Sequence, residues 1–468
     1  MKKIIRLFLF ILVLIGVFIG AYRVLKWKDT AGDYLSTTTM LYETEENTMD
    51  VVFLGSSHVY CAIMPNILWE TYGISAFDMA TSGQDRESTY YHVKEVLKTQ
   101  APKVICVDLG CMVYDGYGVE GNLYRNMLSM KLSRNNVELI DASVPEEERM
   151  DFITRWPIIH TRYGELQKYD FITNDVSTFG RGAALPLDIT QPNMDMEAIK
   201  YKDIGEIPED KLEWLERMIK LSKDEEFELV FFNAPFRMDI NQKGIYNAIA
   251  VFLEKEKIPY IDFNQEGMLP TLDYASDFLD YAHTNIYGGT KVTKYIGEFL
   301  AENYELEDHR GDELYKVWDL DAEYCKHYIQ APLIATESDW ISYVNYIQNS
   351  EGMVVVISLD GDYDSSSLDL YGMLVPLEIE GKYHKGGKWI MENGDFITYI
   401  SGDDMEPFVK DIGEDILTVQ NIVVKNDVSE MFANIMINNE EIGVSYRGLT
   451  IMIYDKILHK VIDIRCYY

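Results

Sequence analysis

Three residues of this chain combine types and spacing that can do chemistry: Ser57, Asp280 and His283. Val51-Val52-Phe53-Leu54 runs apolar into Gly55-Ser56-Ser57-His58, a pattern that presents a serine hydroxyl at a tight turn between a strand and a helix. A serine alone is a weak nucleophile; it needs a base within hydrogen-bond reach and a third group that orients the base. Asp280-Tyr281-Ala282-His283 offers both, because the carboxylate can hold one ring nitrogen while the other faces the serine. The chemistry implied is acyl transfer, with the amino end of the following helix facing the developing oxyanion. Locally, Ser56 and Ser57 are both open as the nucleophile, and Asp-x-x-His also occurs as a helix cap or surface ion pair. Asn285 reads as the N-cap of the helix that follows.

These residues need a frame, and from Asp50 the pattern supplies an α/β one. Strands are expected at Val51–Leu54, Ile74–Met79, Val104–Leu109, Phe227–Phe232 and Pro259–Phe263, with helices at Val59–Tyr72, Glu87–Thr99 and Gly244–Lys255. A last helix places Val292, Ile296, Phe299 and Leu300 on one face. Such alternation predicts an open parallel sheet with its crevice at the carboxyl ends of the strands, where the Gly-Ser-Ser turn and the histidine loop both fall. Residues 112–226 break the rhythm and read as a cap insertion, with a turn-rich Tyr114–Gly118 and an aromatic helix around Trp156–Tyr169. Trp156, His160, Arg162 and Tyr163 could stack on and hydrogen-bond a sugar; for Trp156, packing within the insertion is the other reading.

The chain's 468 residues exceed one ordinary domain of about 150. Its 77 acidic and 42 basic residues leave a charge of −35, which argues against nucleic acid or anionic lipid bound over any large face. The five cysteines are scattered and the eight histidines are unpaired, so no disulfide framework, metal site or cofactor is expected. Leu7–Tyr22 is an unbroken apolar run behind Lys2, Lys3 and Arg6. With no A-x-A-like cleavage site after it, a signal anchor is preferred to a cleaved signal peptide. The expected organisation is an anchor over 1–28, a stalk over 29–49, the α/β domain over 50–305, a connector over 306–336 and a β-rich α+β module over 337–468. By the positive-inside rule, the body lies outside the plasma membrane behind a single span.

At Phe53-Leu54-Gly55-Ser56-Ser57 and Asp280-Tyr281-Ala282-His283, in this order and α/β context, the chain resembles the SGNH/GDSL hydrolase superfamily over roughly Asp50–Tyr304. The resemblance implies a flavodoxin-like three-layer fold, with Ser57 as nucleophile, His283 as base and Asp280 as its orienter. Gly83, in Ala80-Thr81-Ser82-Gly83-Gln84, matches the second-block glycine whose amide joins that of Ser57 in the oxyanion hole. Ser56 replaces the usual aspartate, as in an extracytoplasmic branch similar to teichoic-acid D-alanine-transfer and alginate acetylation proteins. The third block, normally Gly-x-Asn-Asp, is expected after the third strand, where Gly110-Cys111-Met112-Val113 has no asparagine. Asn233, after the fourth strand, is the candidate to replace it, with loop capping as its other reading.

The last part of the chain resembles the interleukin-like EMT inducer domain at Met353–Asp360 and Arg447–Asp455, in the reverse of that family's usual order. This implies a glycan-binding or protein-binding module. The resemblances together imply a membrane-anchored, extracytoplasmic O-acyltransferase that modifies a surface polysaccharide as acceptor and receives its acyl group from a membrane donor protein. A carbohydrate esterase with the same triad, or a non-catalytic glycan-binding scaffold, are the alternatives.

Overall fold

The computed structural model describes residues 2–26, 36–113, 120–171, 179–190, 197–268, 271–349, 351–360, 370–379, 386–425 and 429–467. The turn-rich stretch expected at Tyr114–Gly118 lies outside these residues. The chain divides into two compact units, Met1–Ala322 and Glu323–Tyr468.

The first unit is built on five parallel strands: β1 (Val51–Leu54), β2 (Ala76–Asp78), β3 (Val104–Asp108), β4 (Glu228–Asn233) and β5 (Tyr260–Asp262). Their order is β2-β1-β3-β4-β5, so the direction of winding reverses between β1 and β3. The strands read as continuous apolar runs because both faces are covered. Val52, Leu54, Ile105, Val107, Leu229 and Phe231 pack on one side with Val93, Leu215 and Ile249. Val51, Phe53, Val104, Cys106, Val230 and Phe232 pack on the other with Val59, Leu68, Val292 and Ile296.

Several elements differ from expectation, each for a local reason. Val59–Tyr72 forms two helices, Ser57–Ala62 and Pro65–Tyr72, because Pro65 cannot continue the first and disfavours a helical Met64. Residues 209–224, in the stretch expected as a cap insertion, form the helix Glu209–Asp224, which buries Leu215, Met218 and Ile219 in the main core and so forms the return from β3 to β4. Within the stretch expected as a stalk, Ser36–Glu43 is a helix with Met40 and Leu41 buried in that core. In the expected connector, Tyr315 and Trp318 pack on Trp69 with ring centroids 6.1 and 6.2 Å away, at the start of the helix Lys316–Thr336.

At the amino end, Lys3–Leu25 has a mean hydropathy of 2.8 with none of it buried, so it is long and apolar enough to cross a membrane.

The second unit holds two antiparallel sheets, ordered β12-β11-β10-β9 and β14-β13-β6-β7-β8. The ranges are β6 (Met353–Asp360), β7 (Gly387–Glu392), β8 (Asp395–Ile400), β9 (Phe408–Ile412), β10 (Asp415–Lys425), β11 (Ser429–Ile437), β12 (Glu440–Val444), β13 (Gly448–Asp455) and β14 (Lys460–Tyr467). Val354, Val356, Ile390 and Met452 of one sheet meet Leu417, Val419, Ala433 and Ile435 of the other. The outer face of β6, through Val355 and Ile357, is covered by Tyr343, Val344 and Ile347 of the helix Trp340–Asn349. In strands β9 and β12 charged residues break the apolar alternation, so the sequence signals them weakly.

The last helix of the first unit, Ile286–Asn303, lies against the helix that begins at Ser57. Thr293 Oγ1 accepts from the Met64 amide at 2.9 Å and donates to the Ala62 carbonyl at 3.1 Å. Thr284 Oγ1 donates to the Cys61 carbonyl at 3.0 Å. Gly289 permits this approach, since a Cβ there would fall 2.9 Å from the Cys61 carbonyl oxygen and 2.6 Å from Met64 Cε. Gly289→Ala is therefore expected to destabilise the unit by about 1–3 kcal/mol, as overpacking does. Thermal melts of the full chain check this; an unchanged melting temperature would show that the two helices are not in tight contact.

Candidate active site

Ser57 is the first residue of its helix, directly after the turn at the carboxyl end of β1. Gly55 makes the turn with φ +151°; a Cβ there would fall 2.8 Å from Asp108 Cβ and 2.5 Å from Val59 Cγ2. The loop after β2 clamps this turn. Gln84 Oε1 accepts from the Gly55 amide at 3.0 Å, and its Nε2 donates to the Met79 carbonyl at 3.0 Å. The Thr81 amide donates to the Gly55 carbonyl at 3.2 Å.

His283 Nε2 lies 2.7 Å from Ser57 Oγ, and His283 Nδ1 lies 2.9 Å from both carboxylate oxygens of Asp280. Asp280 Oδ1 also accepts from the amides of Ala282 (2.7 Å) and His283 (2.9 Å). Burial works against the Asp280 carboxylate, but the hydrogen bonds from His283 and Ala282 outweigh it and hold its pKa below the ordinary value. An ionised carboxylate only accepts, so Nδ1 carries the proton. In the neutral ring Nε2 is then the acceptor, and the Ser57 hydroxyl donates to it. The loop is closed on itself by the Leu279 amide donating to the His283 carbonyl at 2.9 Å. Asn285 caps the last helix, accepting from Tyr287 (3.0 Å) and Gly288 (3.3 Å).

Gly83 lies in the loop that clamps the Gly55 turn, at φ +59°, a left-handed conformation suited to glycine. Sequence reasoning missed the asparagine that accompanies it. Asn122, on the helix Glu120–Leu128, packs so closely that a Cβ on Gly83 would fall 2.2 Å from Asn122 Nδ2. Asn126, one turn on, fixes the helix over this loop, its Nδ2 donating to the Ser82 and Asn122 carbonyls at 3.3 and 2.9 Å. The available signal was Gly121-Asn122, which follows the third strand after a longer interval than the expected third block. Tyr60 was also missed. Its hydroxyl lies 3.0 Å from Ser82 Oγ and against Ser57, and burial pushes its pKa up to about 12.

Ser57, His283 and Asp280 are in hydrogen-bond contact, and Gly83 lies in the loop that clamps the Gly55 turn. The other expected residues have the following neighbours. Asn233 is fully buried between strand ends, donating to Asp262 Oδ1 at 3.3 Å, while its carbonyl accepts from Asn264 at 3.4 Å. It ties β4 to β5, next to the buried Lys243–Asp262 ion pair of 2.6 Å. Trp156, His160 and Arg162 gather at the end of the N-terminal helix. Trp156 meets Phe18 with ring centroids 5.1 Å apart, and Arg162 donates to the Leu25 and Lys26 carbonyls at 2.8 Å each. His160 Nδ1 lies 3.0 Å from the Trp156 carbonyl oxygen and is exposed.

Behind the triad lies a buried polar pair. The His58 ring stacks on Phe236 at 4.8 Å and meets His283 edge-on at 5.7 Å. Burial, assisted by His283, lowers its pKa to about 3, so it is a neutral wall. Asp108 accepts from the Ala234 amide at 3.0 Å, and burial pushes its carboxyl up to about 7. His58 Nδ1 and Asp108 Oδ2 have no hydrogen-bond partner among the described residues, and both approach Gly110. Among the described residues no group of histidine, cysteine, aspartate and glutamate could hold a metal ion. No protein-family model matches the chain, and no curated protein matches it.

The Asp108 shift has a sign that can be measured. Between the unfolded-state pKa of about 3.9 and about 7 in the folded chain, the folded state keeps a proton that the unfolded state has lost. Stability therefore falls as pH rises through that window and levels off above it. Asp108→Asn keeps the acceptor for Ala234 without titrating, so it should gain in melting temperature relative to wild type between about pH 5 and about pH 8. A pH-independent difference would show that Asp108 is ionised throughout.

Proposed function

We propose that the first unit is an SGNH-type acyl-transfer domain. Held outside the plasma membrane by the N-terminal helix, it O-acylates a cell-surface polysaccharide through an acyl-Ser57 intermediate. The observation that carries this reading is the hydrogen-bonded series Ser57–His283–Asp280, assembled from residues 226 positions apart. Its place at the carboxyl edge of a parallel sheet, beside the reversal between β1 and β3, supports it.

In the first half-reaction His283 Nε2 takes the Ser57 proton as Oγ attacks the acyl carbonyl, and the leaving group departs with that proton. In the second, His283 takes the proton of a sugar hydroxyl, whose oxygen attacks the ester carbon, and Ser57 leaves with the proton. The oxyanion formed at each step is held by the amides of Ser57 and Gly83 and by the side-chain amide of Asn122. Asp280 keeps the base in the required tautomer. The acyl group arrives from a membrane donor protein, and the second unit serves as a glycan-binding or protein-binding module.

Hydrolysis of carbohydrate esters by the same triad is the second reading. It is favoured by the exposure of the side chains of His283 (23%) and Asp280 (49%), which gives water a path to the acyl-enzyme.

The two readings separate in the cell. Loss of O-acyl groups from the surface glycan in a Ser57→Ala strain is expected for the transferase, whereas excess acylation marks the esterase. An unchanged glycan contradicts both. Asn122→Ala is expected to lower the acylation rate by about 100-fold with an unchanged melting temperature. Equal rates would remove Asn122 from the oxyanion site.

A further inference from the structure

The residues expected to bind sugar lie beside the N-terminal helix. The short helix Trp156–Ile159 and the 3-10 turns His160–Gly164 and Lys168–Phe171 pack against the N-terminal helix, far along the chain from it. Arg162 holds them there. Its side chain, only 6% exposed, pairs with Asp170 at 2.9 Å and donates to the carbonyls of Leu25 and Lys26, groups that a helix end leaves without intrahelical donors. A second contact lies deeper along the helix, where Trp156 meets Phe18.

Phe18 precedes Arg23 by five residues, a rise of about 7.5 Å along a helix. Arg23 is exposed and marks the level at which the apolar run gives way to charge. Trp156 is therefore set just inside the outer boundary of the apolar span, the depth at which tryptophan and tyrosine concentrate in membrane proteins. The same short segment leaves large apolar side chains uncovered, with Tyr163 77% and Phe171 65% exposed. It is also less acidic than the chain as a whole: residues 156–171 contain two basic residues (Arg162, Lys168) and two acids (Glu165, Asp170), against 42 and 77 overall.

We propose that this segment is a membrane-seated platform. With the N-terminal helix across the bilayer, residues 156–171 rest in the lipid headgroup region beside it, with Tyr163 and Phe171 entering the acyl boundary. The partner is the bilayer surface itself, because the segment is continuous with the only helix among the described residues that is long and apolar enough to cross a membrane. Arg155, at the start of the segment, donates to the carbonyls of Leu128 and Met130 at 3.1 and 2.6 Å, and so caps the helix that carries Asn122. The platform thus fixes the first unit at the membrane surface at two points, the span and the segment, and limits its rotation about the anchor. This inference rests on the span and not on catalysis.

The test uses the full chain in vesicles of phosphatidylcholine and phosphatidylglycerol, in a Cys466→Ser background because the other four cysteines are buried. Nitroxide labels at Tyr163→Cys and Phe171→Cys are compared with labels at Val13→Cys in the span and at Ile204→Cys, an exposed position of the same unit. The expected result is a ratio of oxygen to nickel-chelate accessibility at Tyr163 and Phe171 several-fold above that at Ile204 and approaching that at Val13. Ratios at Tyr163 and Phe171 equal to that at Ile204 overturn the proposal. So does a water-like ratio at Val13, which would remove the span on which the segment is seated.

Discussion

Whatever Ser57 does depends on one contact made across 226 residues, the 2.7 Å hydrogen bond to His283. Neither partner sits on the sheet. Each lies at the start of, or just before, a helix packed on the same face of it, so the contact is only as good as the docking of those two helices. Thr284 and Thr293 bond the backbone at Cys61, Ala62 and Met64, and Gly289 lets the helices approach to backbone contact. This is an over-determined junction, with two hydroxyls and a missing Cβ fixing one geometry. If His283 acts as the base proposed, it needs such support, because a displacement of about 1 Å at a catalytic group costs orders of magnitude in rate.

The surroundings of the triad are asymmetric. On the outer side Asp280 is half-exposed and held ionised by hydrogen bonds. On the inner side His58 and Asp108 are buried, each with a polar atom lacking a hydrogen-bond partner among the described residues, and burial drives each toward its neutral form. Leaving such an atom unpaired costs about 1–3 kcal/mol, and this cost is borne next to a site rather than in a neutral part of the core. His58 is therefore a neutral neighbour of His283, while Asp108 behind it titrates near neutral pH. Asp280 is the carboxylate that contacts the ring, and its bonds to Nδ1 favour the tautomer that accepts from Ser57.

Much of this was legible in the sequence for a physical reason. The runs at Val51–Leu54, Val104–Val107 and Leu229–Phe232 are apolar on both faces, as a covered parallel strand requires, and Ser57 follows the first of them, whereas Asp280 and His283 precede the last helix. The position of Asn122 was not legible because it comes from a helix that folds back onto Gly83, and nothing in local periodicity reports where a helix returns. Trp156, His160 and Arg162 were placed at a sugar because aromatic and basic side chains suit sugars and helix ends alike. Their chemistry is ambiguous until their neighbours, Phe18 and the Leu25 and Lys26 carbonyls, are known. Asn233 carried two readings for a related reason: a strand-end amide serves equally well to face a site or to tie two strands together, and here it bonds Asp262.

The central claim is that Ser57 is an activated nucleophile, and its reaction with a serine-directed fluorophosphonate tests this most directly. Intact-mass and peptide analysis of the full chain should show a single adduct on Ser57, formed at least about 100-fold more slowly when the base is removed by His283→Ala. No adduct on Ser57, or labelling that proceeds equally well without the histidine, would contradict the account.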